Sequence, residues 1–173
     1  DYTSVTILLS EGIMIFAVWL FAARKYRTKW SKLGLRPSDR FGTYLAPFLA
    51  LLAIMIFTAG YSYVSSNYGP EFLKPPALPE GLIGSGLHRF VMIFALVLWG
   101  PFAEEIFFRG FMMTALVPTF GVLGATIVSS LIFAASHMSV GSLVPIFVSG
   151  VLFSLLYLRT RSIWPPMTAH ALQ

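Results

Sequence analysis

Long apolar runs separated by short polar breaks set the layout of this chain. Residues from about Ser4 to Ala23 form one run of roughly 20 residues, about 30 Å of helix and so the depth of a hydrocarbon core. A second extends from about Thr43 to Val64, with Pro47 near its start, where a missing N–H is best tolerated. The third begins near Arg89 and reaches Val117. Pro118 to Gly121 then forms a turn, and a fourth run covers about Val122 to His137. After a break at Met138 to Gly141 comes a fifth, Ser142 to Leu158. The basic hinge Arg159-Thr160-Arg161 follows, then Trp164-Pro165-Pro166 and the start of a sixth helix holding His170. This pattern predicts an all-α, multi-pass transmembrane bundle of about six spans with the last one truncated. Residues 1–32 read as a first span with a basic loop, and residues 33–173 as the main domain, C-terminally incomplete.

Two segments lie outside this pattern. The loop from Arg24 to Arg40 holds seven of the twelve Lys and Arg residues, a cluster that marks a cytoplasmic loop facing anionic lipid. Within it, Leu33-Gly34-Leu35-Arg36-Pro37 reads as a turn with an apolar foot on the membrane. Ser65 to His88 is polar and interrupted by Pro70, Pro75, Pro76, Pro79, Gly81, Gly84 and Gly86. It is too irregular to cross a bilayer and has room for one short surface helix.

Composition agrees. With 57% hydrophobic and 11% charged residues and a mean hydropathy of +0.78, the chain reads as a multi-pass protein of the cell membrane with the lipid bilayer as its first partner. The net charge of +5 is absorbed by the basic loop, and no nucleic acid is expected as a partner. Zero cysteines exclude disulfides, thiolate metal sites and a cysteine nucleophile.

One stretch contradicts its surroundings. Trp99-Gly100-Pro101-Phe102-Ala103-Glu104-Glu105-Ile106-Phe107-Phe108-Arg109-Gly110 puts three charges within six residues of an apolar run. Each charge at bilayer depth costs about 2.5–3.5 kcal/mol on insertion scales, so ionisable groups there are functional candidates by default. Gly100-Pro101 is expected to kink the helix one turn before the carboxylates. Glu105 and Arg109 stand at i, i+4 in the favourable order and pair, whereas Glu104 points about 100° away and needs another partner. Glu104 and His137 lie symmetrically about positions 120 and 121, each roughly 16 residues or about 24 Å from the turn, so their depths match. His170 is about nine residues past the basic hinge, roughly 13 Å if helical. An extended Trp164-Pro165-Pro166 entry carries it deeper. Glu11, inside the first span, is read as facing the interface or other helices rather than as a catalytic group; His88 is assigned no role.

Three chemistries suit this set. A proton or ion relay strings such groups along a span, whereas here they cluster. A zinc site of Glu104, His137 and His170 would draw its ligands from separate helices, since there is no HExxH. In metal-free hydrolysis, with no cofactor required, Glu104 activates a water while the histidines orient it or donate to an oxyanion. Ser136 as a nucleophile lacks a base across from it.

Three motifs then give a resemblance. Glu104-Glu105-Ile106-Phe107-Phe108-Arg109 matches EExxxR, Phe133-Ala134-Ala135-Ser136-His137 matches FxxxH, and His170 begins an HxxxN or HxxxD whose closing residue falls after Gln173. Leu33-Gly34-Leu35 and Phe147-Val148-Ser149-Gly150, leading through Tyr157-Leu158-Arg159-Thr160, add support. From Leu33 onward the chain resembles the CPBP family of intramembrane proteases, which includes CAAX prenyl endopeptidases and bacteriocin-processing or self-immunity proteins. The resemblance implies that residues 33–173 form an intramembrane protease domain acting on a membrane-associated or prenylated peptide. It implies that Glu104 activates water, that Glu105 and Arg109 hold the site together, and that His137 and His170 bind the water or the oxyanion. Members classed as metalloproteases keep zinc open as a cofactor. A non-catalytic scaffold or immunity protein retaining the motif residues is the alternative from another class. With the basic loop inside, the Met138–Gly141 break lies toward the outer half, which is in tension with a site opening to the cytoplasm.

Overall fold

The computed structural model describes residues 2–38, 42–77 and 81–173; Arg40, which closes the basic loop, and Pro79 of the polar connection lie outside the described residues. Helix α1 (Tyr2–Val18) continues through a π-helical turn, Trp19–Lys25, ending on Arg24 and Lys25 where the helix dipole favours cations. Helix α2 (Ala46–Tyr68) starts with Pro47 in its first turn. The polar connection holds one short 3₁₀ turn, Glu71–Leu73, where a surface helix was expected. Next come α3 (Gly86–Phe94), a π-helical Ala95–Trp99, α4 (Gly100–Glu104), a π-helical Glu105–Met113 and α5 (Thr114–Ser136). Helices α6 (Leu143–Thr160) and α7 (Trp164–Ala171) close the bundle.

The expected count of about six spans is too high. Among the described residues four helical stretches are long and apolar enough to cross a membrane: Thr3–Lys25, Ala46–Tyr68, Gly86–Ser136 and Leu143–Thr160. The 51-residue stretch would reach about 76 Å if straight, more than twice a hydrocarbon core. It is not straight. Gly121 breaks it with φ 68 and ψ 175, a backbone state that glycine adopts without strain. The chain doubles back there, and the Phe108 and Phe133 rings meet at 5.2 Å from either side of the reversal. The eight residues of α7, Trp164–Ala171, cover about 12 Å.

Small residues let the helices approach closely, as they do where lipid removes any hydrophobic drive between helices. On α5, Ala125, Ser130 and Ala134 are buried; on α6, Ser149, Gly150 and Ser154 are. The Ser149 and Ser154 hydroxyls donate to the Pro145 and Gly150 carbonyls at 3.1 and 2.8 Å, which satisfies them without leaving the helix. A Cβ on Gly150 would sit 3.1 Å from both Phe133 and Ser130.

The Leu33–Arg36 segment is a clamp rather than a loose loop. Gly34, at φ 92, accepts a bond from the Ile163 amide at 3.0 Å. Arg36 Nε donates to the Arg161 carbonyl at 3.0 Å, and the Ser162 hydroxyl to the Arg36 carbonyl at 2.6 Å. These bonds fix the turn between α6 and α7, where Arg161 takes a left-handed conformation, φ 55. Gly110 lies directly beneath the Leu33 carbonyl, so any side chain there meets backbone. Accordingly, Gly110→Ala should destabilise the protein by about 1–3 kcal/mol, read as a lowered thermal midpoint in detergent. Gly60→Ala, whose added Cβ meets no atom within 4 Å, should leave the midpoint level or higher.

Candidate active site

Proline at position 101 removes one amide donor from a helix that must pass through lipid. The helix answers by widening. Gly100 keeps helical angles (φ −59, ψ −60), and its N–H bonds to the Ala95 carbonyl five residues back. The irregularity expected at Gly100-Pro101 is thus a π-helical turn, with Pro101 tolerated in the first turn of α4. The two carboxylates follow at once, and their environments differ. Glu105 is fully buried; Glu104, one residue back, keeps 15% of its side chain exposed.

Glu105 and Arg109 pair as the i, i+4 spacing requires, Nη1 to Oε1 at 2.8 Å, with both side chains sealed. Arg109 Nη2 also donates to the Gly150 carbonyl at 3.3 Å. Its guanidinium lies 4.3 Å from the Phe133 ring centroid and 5.2 Å from that of Phe153, within cation–π range. One buried cation is therefore held by a carboxylate, a carbonyl and aromatic faces drawn from α5 and α6.

His170 joins the two glutamates. Its Nδ1 bonds to Glu105 Oε1 at 3.1 Å, and its Nε2 stands 3.4 Å from Glu104 Oε2, within ion-pair distance but not aligned as a hydrogen bond. The ring stacks on Phe153 (5.0 Å, 25°) and meets Phe133 edge-on at 5.7 Å. The extended entry proposed for Trp164-Pro165-Pro166 is not what carries His170 here. Helix α7 begins at Trp164, and the prolines occupy its first turn, where no amide donor is missed. What brings His170 to the glutamates is the clamped α6–α7 turn and the packing of α7 against α2, α4 and α6.

His137 caps α5. Its Nδ1 faces the Phe133 carbonyl at 2.9 Å, and since a carbonyl only accepts, Nδ1 carries the proton and Nε2 of the neutral ring is left as an acceptor. The Ser136 hydroxyl donates to the same carbonyl at 2.8 Å and is not presented as a nucleophile. Glu104, His137 and His170 line one cavity of about 270 Å³. The matched depth of Glu104 and His137 places both on its wall, although the side chain within ion-pair distance of Glu104 is His170. Glu11 lines the same cavity and is 7% exposed, so it faces other helices. Sequence reasoning missed the aromatic holders: Phe133 had a signal as the first residue of FxxxH, and Phe153 had none.

A zinc ion needs three or four ligands at about 2.0–2.2 Å from one point. Among the described residues no three His, Cys, Asp or Glu side chains converge in that way, and both nitrogens of His170 are turned to carboxylates. Glu104, His137 and His170 as placed do not form a ligand cluster, and no step below is routed through a metal.

Residues 86–173, just over half of the chain, match the family described as type II CAAX prenyl endopeptidase Rce1-like. The chain is 32% identical over 139 residues to the membrane-embedded CAAX protease MroQ of Staphylococcus aureus (strain USA300), covering 75% of this chain and 56% of that protein. It is 36% identical over 80 residues to the putative membrane peptidase YdiL of Bacillus subtilis (strain 168), covering 46% of this chain and 33% of that protein. These matches span between a third and just over half of the relatives' lengths. No solved structure matches at a significant level. The sealed pair yields a stability prediction: Arg109→Met should destabilise by about 3–5 kcal/mol because it strands a buried carboxylate. The Glu105→Gln, Arg109→Met double variant should lose less than the sum of the singles in a double-mutant cycle.

Proposed function

This chain belongs to the Rce1-like family of type II CAAX prenyl endopeptidases, and from that premise we propose that it is an intramembrane endopeptidase that cleaves a membrane-associated or prenylated peptide with glutamate-activated water. One observation carries the reading: His170 spans the water-facing Glu104 and the sealed Glu105 at the wall of a cavity shared with His137. The cavity has room for several waters at about 30 Å³ each.

Each group has a part that follows from its surroundings. Glu104, partly exposed to the cavity and within ion-pair distance of His170, takes a proton from the attacking water. His170 is oriented by Glu105, which Arg109 holds in turn, so its Nε2 steers the base from a fixed position. Neutral His137 offers Nε2 as an acceptor that orients the water for attack. The apolar walls strengthen these interactions by excluding bulk solvent. The names of both relatives, a CAAX protease and a membrane peptidase, support a peptide bond as the target.

The test is hydrolysis of a fluorogenic, prenylated Cys-aliphatic-aliphatic-X peptide by the purified protein in liposomes. Glu104→Gln should lower kcat by about 10²–10⁴-fold or more, the usual range for a positioned general base, and His170→Ala should fall alongside it. Wild-type cleavage should survive exhaustive chelation. A Glu104→Gln protein that folds normally and keeps full activity would sink the reading in favour of a polar network with no catalytic part.

A further inference from the structure

Helix α1 sends one ionisable side chain into the cavity, and none of the roles above uses it. Glu11 is 7% exposed and lines the same 270 Å³ space as Glu104, His137 and His170. Its Oε2 is buried without a hydrogen-bond partner among the described residues. Apart from these four, the lining is apolar or glycine: Ile7, Ala95, Leu96, Gly100 and Pro101. No lysine or arginine lines the cavity to neutralise a second carboxylate.

A buried carboxyl that anchors a helix has a cation or a donor on it, as Glu105 has Arg109 and His170 on its Oε1. Two carboxyls facing one apolar space repel when both are charged, and such pairs hold one proton between them. Glu104 faces the imidazole of His170 and is the natural seat of the negative charge. Among the described residues Glu11 meets no cation, which suits it to carry the shared proton. An acid and a base of the same residue type then face one cavity from different helices.

We propose that Glu11 is the general acid of the reaction and protonates the leaving amine. The proposal rests on the hydrolytic reading above. Glu104 takes one proton from water as the oxygen bonds to the scissile carbonyl carbon, giving a tetrahedral oxyanion. Glu11 gives its proton to the amide nitrogen, the C–N bond breaks, and the oxyanion collapses to the carboxylic acid of one fragment while the other departs as an amine. Glu104 is now protonated and Glu11 ionised. Transfer of one proton from Glu104 to Glu11 across the cavity restores the start. Water is the only co-reactant.

A leaving-group comparison distinguishes an acid from a structural carboxyl. An amine leaves only if protonated, whereas the alkoxide of an ester leaves with far less help. The probes are the prenylated peptide and its isostere with the scissile amide replaced by an ester. Glu11→Gln should lower kcat on the amide by about 100-fold or more, with KM little changed, and the loss should shrink to less than about tenfold on the ester. Glu11→Asp, which keeps the carboxyl on a shorter stem, should recover part of the amide rate and show the same ordering if the glutamine variant does not fold. Equal losses on both probes, or no loss on either, would overturn the proposal. A wild-type protein that cleaves neither probe, or a Glu104→Gln variant that cleaves both at the wild-type rate, would instead bring down the hydrolytic reading, and this one with it.

Discussion

The rest of the site hangs on the ion pair between Glu105 and Arg109, closed off from the surface on every side. A charged pair at this depth needs further hydrogen bonds and a held geometry. The protein supplies part of both by bringing three segments to one guanidinium. The helix from Gly86 supplies the pair, α6 supplies the Gly150 carbonyl, and Phe133 and Phe153 supply aromatic faces. Glycine at 150 is a consequence, since a Cβ there would press on Phe133 and Ser130. Electrostatics and packing select the same arrangement.

From this fixed point, order passes outward to the reactive groups. Oε1 of Glu105 receives both Arg109 and His170, so the imidazole inherits its position from the sealed pair. His170 then turns its other nitrogen to Glu104, which alone of the two carboxylates reaches the cavity to any extent. Two adjacent residues of one type thus differ in surroundings because one faces the packed interior and the other the cavity. Phe133 links the two histidines, meeting His137 at 4.9 Å and His170 at 5.7 Å.

The short α7 would not hold His170 in place by itself, because eight residues in a helix make few bonds and carry little stability alone. Its position depends on a distant piece of chain. The Leu33–Arg36 clamp grips the α6–α7 turn through three hydrogen bonds, and its Leu33 carbonyl rests on Gly110, one residue past Arg109. The polar segment after the first span is therefore part of the site's foundation.

Much of this was readable from residue pattern. Apolar runs of spanning length determined an all-helical membrane bundle, because a helix satisfies its own backbone in lipid. The i, i+4 spacing determined the Glu105–Arg109 pair, and the symmetry about positions 120 and 121 brought His137 to the level of Glu104, since helical rise is the same in any context. Tertiary structure decided the rest. Among the described residues, four stretches of spanning length stand where about six spans were read, while the reversal at Gly121 falls in the turn read at Pro118 to Gly121. His170 came within ion-pair distance of Glu104 through a turn clamped by residues more than 120 positions away. The part of Phe153 in the aromatic cage and the cavity that Glu11 shares with Glu104 were likewise decided in tertiary structure: a helical pattern says how deep a side chain lies, and only the packed neighbours decide what it meets.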